Sequence, residues 1–210
     1  MKGAPMYLPT TFASHDRDEI LAHMAAHPFA TVSSCLGEAL LVGHLPLLVD
    51  AERNVLRGHL AKENAQFQHF AGGAEVVAAF HGPHGYVSPS VYGTPGVPTW
   101  NYAVVHARGK ARVLSRSELM QVLHDSVARF ETSGWRMAPE GAAIRSKLEA
   151  IAGFEIDIRT LEGKWKLSQN RPTEDRARVI DWLAQGDDAS RATAVLMRER
   201  ELGFSSPRDP

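Results

Sequence analysis

Apolar and polar positions alternate along residues 154–160, with Phe154, Ile156 and Ile158 on one side and Glu155, Asp157 and Arg159 on the other. A period of two is that of a β-strand with one buried face. Strand-like runs also occupy residues 29–34, 40–49, 55–60, 76–80 and 103–114. The polar stretch Asp50-Ala51-Glu52-Arg53-Asn54 reads as a hairpin connection between two of them. Pro46 inside such a run predicts an edge or bulged position, because proline has no N–H to give to a ladder.

Elsewhere the period lengthens to that of a helix. Residues 16–26 place Ile20, Leu21 and Met24 on one face, and Pro28 stops the run. Ser115 and Glu118 spell a capping box, and the helix they open aligns Leu119, Val122, Leu123, Val127 and Phe130. A short helix ends near Phe70, and one around 143–151 aligns Ile144, Leu148 and Ile151. Two C-terminal helices, over 174–185 and 189–202, are each followed by a glycine, Gly186 and Gly203. Short strands in succession, without alternating crossover helices, predict an antiparallel sheet, and closing it into a barrel removes its exposed edges. The fold class is α+β around a small barrel.

Composition narrows the field. The chain of 210 residues is 44% hydrophobic and 22% charged, ordinary for a globular protein that buries a sizeable core. A formal net charge of −1 supplies no global attraction to nucleic acid or to anionic membrane. Cys35 stands alone, so no internal disulfide forms and a cytoplasmic home is expected. Met1 to Phe12 carries Pro5 and Pro9 with scattered apolar residues, which predicts no signal peptide. No stretch approaches the roughly 20 continuous apolar residues that span a bilayer, so a membrane role is not expected.

Three segments could carry chemistry. Residues 81–102 mix prolines and glycines with Tyr86, Tyr92, Trp100 and Tyr102, and read as a long ordered loop that closes a site or a subunit contact, or that covers a barrel end. His59, Lys62 and Asn64 lie where a strand turns into a short helix, a place suited to a phosphate or simply solvated. Residues 164–171 gather Lys164, Lys166 and Arg171 with Ser168, Gln169 and Asn170, side chains that could grip a phosphate or the polar rim of a heteroaromatic ring, or merely end a strand. His44, His59, His81 and His84 do not form a zinc pattern, and no nucleophile elbow, GxGxxG fingerprint or Walker loop is present. No metal and no catalytic residue is assigned.

In order along the chain stand Met6-Tyr7-Leu8-Pro9 with Phe12, Pro28-Phe29-Ala30-Thr31, His44-Leu45-Pro46, Gly58-His59-Leu60, Gly82-Pro83-His84 with Tyr86, Thr99-Trp100-Asn101-Tyr102 and Lys166-Leu167-Ser168-Gln169-Asn170-Arg171. Together they resemble the PaiB-type FMN-binding negative transcriptional regulators over residues 6–183. The resemblance implies a small antiparallel Greek-key split β-barrel, related to the pyridoxamine-phosphate-oxidase-like flavoproteins, with surrounding helices and a C-terminal helical appendage. It divides the chain at residue 171, with the FMN-binding barrel over 1–171 and a helical extension over 172–210. It further implies a homodimer with FMN at the subunit interface.

On that analogy His59, Lys62 and Asn64 face the FMN phosphate, and His44, Leu45 and Pro46 lie along the isoalloxazine. Trp100, Asn101, Lys166, Ser168 and Gln169 reach the flavin from the partner subunit. Val91 replaces a tryptophan usual in the family, and Lys62 replaces an arginine, keeping the charge but losing the bidentate fork. The implied role is negative transcriptional regulation with a DNA or transcription partner. The alternative is an FMN-dependent oxidoreductase on the same scaffold. A direct DNA reader is disfavoured, since Asp187 and Asp188 precede the last helix, where they would repel phosphate.

Overall fold

The computed structural model describes residues 5–136 and 142–204, with side chains left out for 142–144 and 202–204. Strands are β1 (Ala13–Ser14), β2 (Phe29–Leu36), β3 (Ala39–Pro46), β4 (Leu48–Asp50), β5 (Val55–Ala61), β6 (Glu75–Val87), β7 (Thr99–Val113) and β8 (Ile151–Lys166). Helices are α1 (Arg17–Ala26), α2 (Gln66–Ala71), α3 (Arg116–Phe130), α4 (Ala142–Glu149), α5 (Thr173–Ala184) and α6 (Asp188–Phe204). They form one mixed α+β fold with a single antiparallel sheet of eight strands, ordered β3-β2-β6-β7-β8-β5-β4 with β1 added against β8. No helix among the described residues is long and apolar enough to cross a membrane.

The strand order reveals the barrel. Its two ends, β3 and β4, are consecutive in sequence and joined by Leu47 alone. A sheet whose terminal strands share one connecting residue must curl round until they meet. Leu47 makes the corner, buried, with its N–H on the carbonyl of Pro28 at 2.8 Å. Pro46 is the last residue of β3 at the path's end, where its missing N–H costs no ladder bond.

Two compact units make up the chain: residues 17–80 with 105–161, and residues 1–16 with 81–104 and 162–210. The first holds the barrel. Its core comprises Val32, Leu56, Phe70, Phe80, Phe154 and Ile156, with the Phe70 and Phe154 rings 4.7 Å apart. Gly58 lets the Phe154 ring lie across β5, since a Cβ there would sit 2.9 Å from Phe154 Cζ. The alternation of residues 154–158 appears as expected, but Glu155 on the outer side is also buried. Arg53 donates to its Oε2 at 2.7 Å, and Arg112 to its Oε1 at 2.9 Å. The α3 capping box forms, with Ser115 N–H on Glu118 Oε2 at 2.8 Å.

The second unit is built on the far ends of β6, β7 and β8, with β1, α5, α6 and the 88–98 connection. Its buried residues include Trp165, Leu167, Val179, Ile180, Leu183, Ala194 and Met197. Gly85 lies under the last two helices, where a Cβ would meet Leu183 Cδ2 at 2.5 Å. Trp165 carries the Arg200 guanidinium over its ring at 4.9 Å.

Three elements differ from the sequence reading. The presumed loop 81–102 shrinks, because β6 runs on to Val87 and β7 starts at Thr99. Gly82, Pro83 and Gly85 sit within a strand whose neighbours in the sheet hold it extended, while Pro89, Gly93, Pro95, Gly96 and Pro98 stay in the 88–98 connection. Ile151 opens β8 instead of closing a helix, because it pairs with Ala61 in the ladder to β5. The run 40–49 is two strands, broken at the Leu47 corner. The side chain of Ile144 lies outside the described residues.

Candidate functional site

Each group of implied flavin residues falls within one unit. In the barrel unit, β3 alternates outward and inward, so His44 and Pro46 are exposed while Leu45 points into the core. His44 Nδ1 lies 3.3 Å from Thr31 Oγ1, and its ring stacks on Phe29 with centroids 6.3 Å apart. His59, on β5, is half-buried, and burial lowers its pKa, keeping the imidazole neutral. Lys62 follows in the turn after β5, exposed and with no carboxylate partner among the described residues. Asn64 Oδ1 accepts the main-chain N–H of Gln66 at 2.9 Å and so shapes the start of α2.

In the other unit, the first residues of β7 face the last residues of β8. Lys166 Nζ donates to the Trp100 carbonyl at 2.7 Å and to Thr99 Oγ1. Burial, and then the neighbouring charge of Lys164, lower its pKa. Asn101 and Ser168 are both buried and exchange hydrogen bonds, Asn101 Nδ2 to Ser168 Oγ at 3.0 Å and Ser168 Oγ to Asn101 Oδ1 at 3.1 Å. Met197 of α6 backs the pair, its Sδ 3.4 Å from Asn101 Nδ2. Ser168 adopts φ +63°, a left-handed conformation that side chains rarely take and that often marks functional turns. Gln169 spends its amide on the main chain, donating to the Trp165 carbonyl and accepting from Leu167 N–H at 2.7 Å.

Trp100 is 52% exposed. Tyr86 meets it edge-on, centroids 6.1 Å apart at 66°, and His84 lies 6.0 Å away. Trp182 Nε1 donates to the Tyr86 carbonyl at 3.1 Å, tying α5 to the same group. A flavin needs a cation for its phosphate, a flat ring to stack on and donors for its polar edge. The barrel unit carries an exposed cation at Lys62, and the other unit carries an open ring at Trp100 and an ammonium group at Lys166, so the kinds of group a flavin needs are present.

Two parts of the site escaped the sequence. The 88–98 connection is tied to α5 by Asp175, which accepts Gly93 N–H at 2.7 Å and Thr94 Oγ1–H at 2.6 Å. An aspartate in a first helical turn signals only a favourable helix dipole, so no local pattern announced the tie. Arg171 lies with its guanidinium 4.2 Å over the Tyr92 ring and donates to the Pro95 carbonyl at 3.1 Å. The cationic cluster of residues 164–171 hinted at Arg171, but not at its partner.

Residues 6–160 match the family described as "Putative FMN-binding domain". The chain is 32% identical over 204 residues to the protease synthase and sporulation protein PAI 2 of Bacillus subtilis (strain 168), covering 93% of this chain and 98% of that protein. It is also 32% identical to an uncharacterized protein of Emericella nidulans, covering 80% of this chain and 85% of that one. Among solved structures, the flavocytochrome Anf3 from Azotobacter vinelandii superposes with a TM-score of 0.63 at 18% identity, over 83% of this chain and 78% of that one. The FAD and heme binding protein from Mycobacterium smegmatis gives 0.61 at 17% identity, over 83% and 80%. At those identities the likeness is one of fold, and it agrees with the curled antiparallel sheet. With that barrel, and with a match running from Met6 through most of β8, the chain belongs to the PaiB-type family of FMN-binding split-barrel proteins.

Proposed function

We propose that this chain is a homodimeric, FMN-binding negative transcriptional regulator. The observation that carries the flavin reading is Trp100, a large ring left half open to solvent on a strand while His84 and Tyr86 fix its orientation. An indole held open and oriented by neighbouring rings is a ready stacking surface, and an isoalloxazine is a flat partner of the right kind. His44, Leu45, Pro46, His59, Lys62 and Asn64 of one copy hold the flavin, with Lys62 at its phosphate. Trp100, Asn101, Lys166, Ser168 and Gln169 come from the second copy. Bound FMN supplies reversible redox chemistry; the chain's own side chains bind and orient it.

The dimer reading rests on exposed apolar side chains beside His44. Phe29 on β2 and Leu40 and Val42 on β3 lie open on one face of these two strands, an apolar patch that invites a second chain. The regulatory role rests on the likeness to PAI 2, whose name joins it to protease synthesis and sporulation. The helices α5 and α6 pack on each other through Val179, Leu183, Ala194 and Met197, and Asp181 and Asp188 are exposed, so regulation through FMN state fits them better than direct DNA reading.

Lys62→Ala tests the flavin assignment. It weakens FMN by about tenfold, the worth of one charge-assisted contact, and leaves riboflavin unchanged, because only FMN carries the phosphate. Equal losses for both ligands would overturn the role of Lys62. The oxidoreductase alternative predicts that NADH or NADPH bleaches bound FMN under anaerobic conditions, and the regulator reading predicts no turnover.

A further inference from the structure

Lys166 and Arg171 line one cavity of about 130 Å³, together with Tyr92, Thr99, Asn101 and Ser168. No carboxylate lines it. Among the described residues neither cation forms an ion pair; both spend hydrogen bonds only on neutral oxygens, those of Thr99, Trp100 and Pro95. Arg176, Arg178, Arg191 and Arg198 of the same unit each reach an acid. Two part-buried positive charges sharing a small space repel each other, and burial without a counter-charge is costly.

What would compensate them is an anion. Arg171 is already oriented, since Tyr92 supports the plane of its guanidinium and the Pro95 carbonyl takes one N–H, leaving the rest of its fork of donors. Lys166 has a third ammonium hydrogen beyond the two it gives to Thr99 and Trp100. The Ser168 hydroxyl is fixed at its place by Asn101 and by the left-handed backbone.

Size sets the ligand class. At about 130 Å³ the cavity is several times what one water needs and well below a drug-sized pocket. A tetrahedral oxyanion fits that space; drug-sized ring systems occupy roughly 300–1,000 Å³ and do not.

We propose that this cavity is an oxyanion-binding subsite, in which Arg171 and Lys166 grip a phosphate-class group. The group has two possible sources: a small free anion bound beside the flavin, or the phosphate of FMN itself, which would then lie here and not at Lys62.

Calorimetric titration of the full chain with inorganic phosphate tests the subsite without any flavin, and so independently of the flavin reading. The expected result is saturable binding that Arg171→Gln and Lys166→Gln each weaken by about tenfold, one charge-assisted contact apiece. Unchanged thermal melting shows that each variant still folds. Repeating the titration with FMN and with riboflavin separates the sources. Block by FMN but not riboflavin assigns the subsite to the cofactor's phosphate; undiminished binding beside both assigns it to a separate anion. Absence of saturable phosphate binding, or binding equal in wild type and both folded variants, overturns the proposal.

Discussion

The Gly93 N–H reaches Asp175 Oδ1 at 2.7 Å and, with Thr94 on the other carboxylate oxygen, fastens the 88–98 connection to α5. Arg178 holds the same carboxylate from the next turn at 2.8 Å. Asp175→Ala therefore releases the connection without touching the barrel. Hydrogen exchange at the Gly93 amide accelerates in the variant while the barrel strands keep their protection. Equal protection at that amide would show that the tie is dispensable.

The hydrogen bonds from Thr94 and Gly93 lower the Asp175 pKa below its ordinary 3.8, so the tie has a pH signature. A carboxylate with a depressed folded pKa stabilises above its unfolded value, and the contribution is lost as pH falls through the folded one. Relative to its intrinsic exchange rate, the Gly93 amide stays protected at neutral pH and loses that protection only below pH 3.8.

His23 acts in the same direction, in a higher pH window. Burial, and then the charge of His27, lower its pKa from 6.5 to about 4. The unfolded chain takes up the proton first, so stability declines as pH falls from 6.5 and levels off near 4. A gap of that size corresponds to at most ~3 kcal/mol. Denaturant unfolding across that range should show the decline, and His23→Gln should flatten it. An equally steep decline in the variant would place the acid sensitivity elsewhere.

Ser168 combines a buried hydroxyl with φ +63°. Ser168→Ala loses the bonds to Asn101 and keeps the backbone strain, at a cost of about 1–3 kcal/mol. Ser168→Gly loses the same bonds but relieves the strain, so it should destabilise less. If glycine proves the worse of the two, backbone conformation is not what limits this position.

Gly58→Ala drives a methyl to 2.9 Å from Phe154 Cζ and 3.1 Å from Leu47 Cδ2, both in the barrel core. Overpacking of that kind costs about 1–3 kcal/mol. The midpoint of denaturant unfolding should fall accordingly, with an unchanged slope.

Much of the barrel was legible where local pattern and tertiary role agree. The alternation at Phe154, Ile156 and Ile158 marked β8, and Ser115 with Glu118 marked the start of α3. Legibility failed where the sheet overrode local preference. Gly82, Pro83 and Gly85 read as loop, yet β6 carries them, because its neighbours in the sheet order hold the chain extended. Within the site, Trp100 and Lys166 stood out as chemistry-bearing side chains. Their geometry did not, because Lys166 meets Thr99 and Trp100, and Asp175 meets Gly93, only through contacts distant in sequence. Arg171 was visible as a charge, but its support on Tyr92 was not.

The chain is a member of an FMN-binding family, and its residues hold the cofactor. Titrating the purified chain with FMN and following flavin fluorescence tests it most directly, since an indole such as Trp100 stacked on the ring quenches emission. The expected result is saturable binding at micromolar FMN with strong quenching, and weaker quenching in Trp100→Leu. No saturable binding at micromolar FMN would contradict it, and would leave the split barrel without its cofactor.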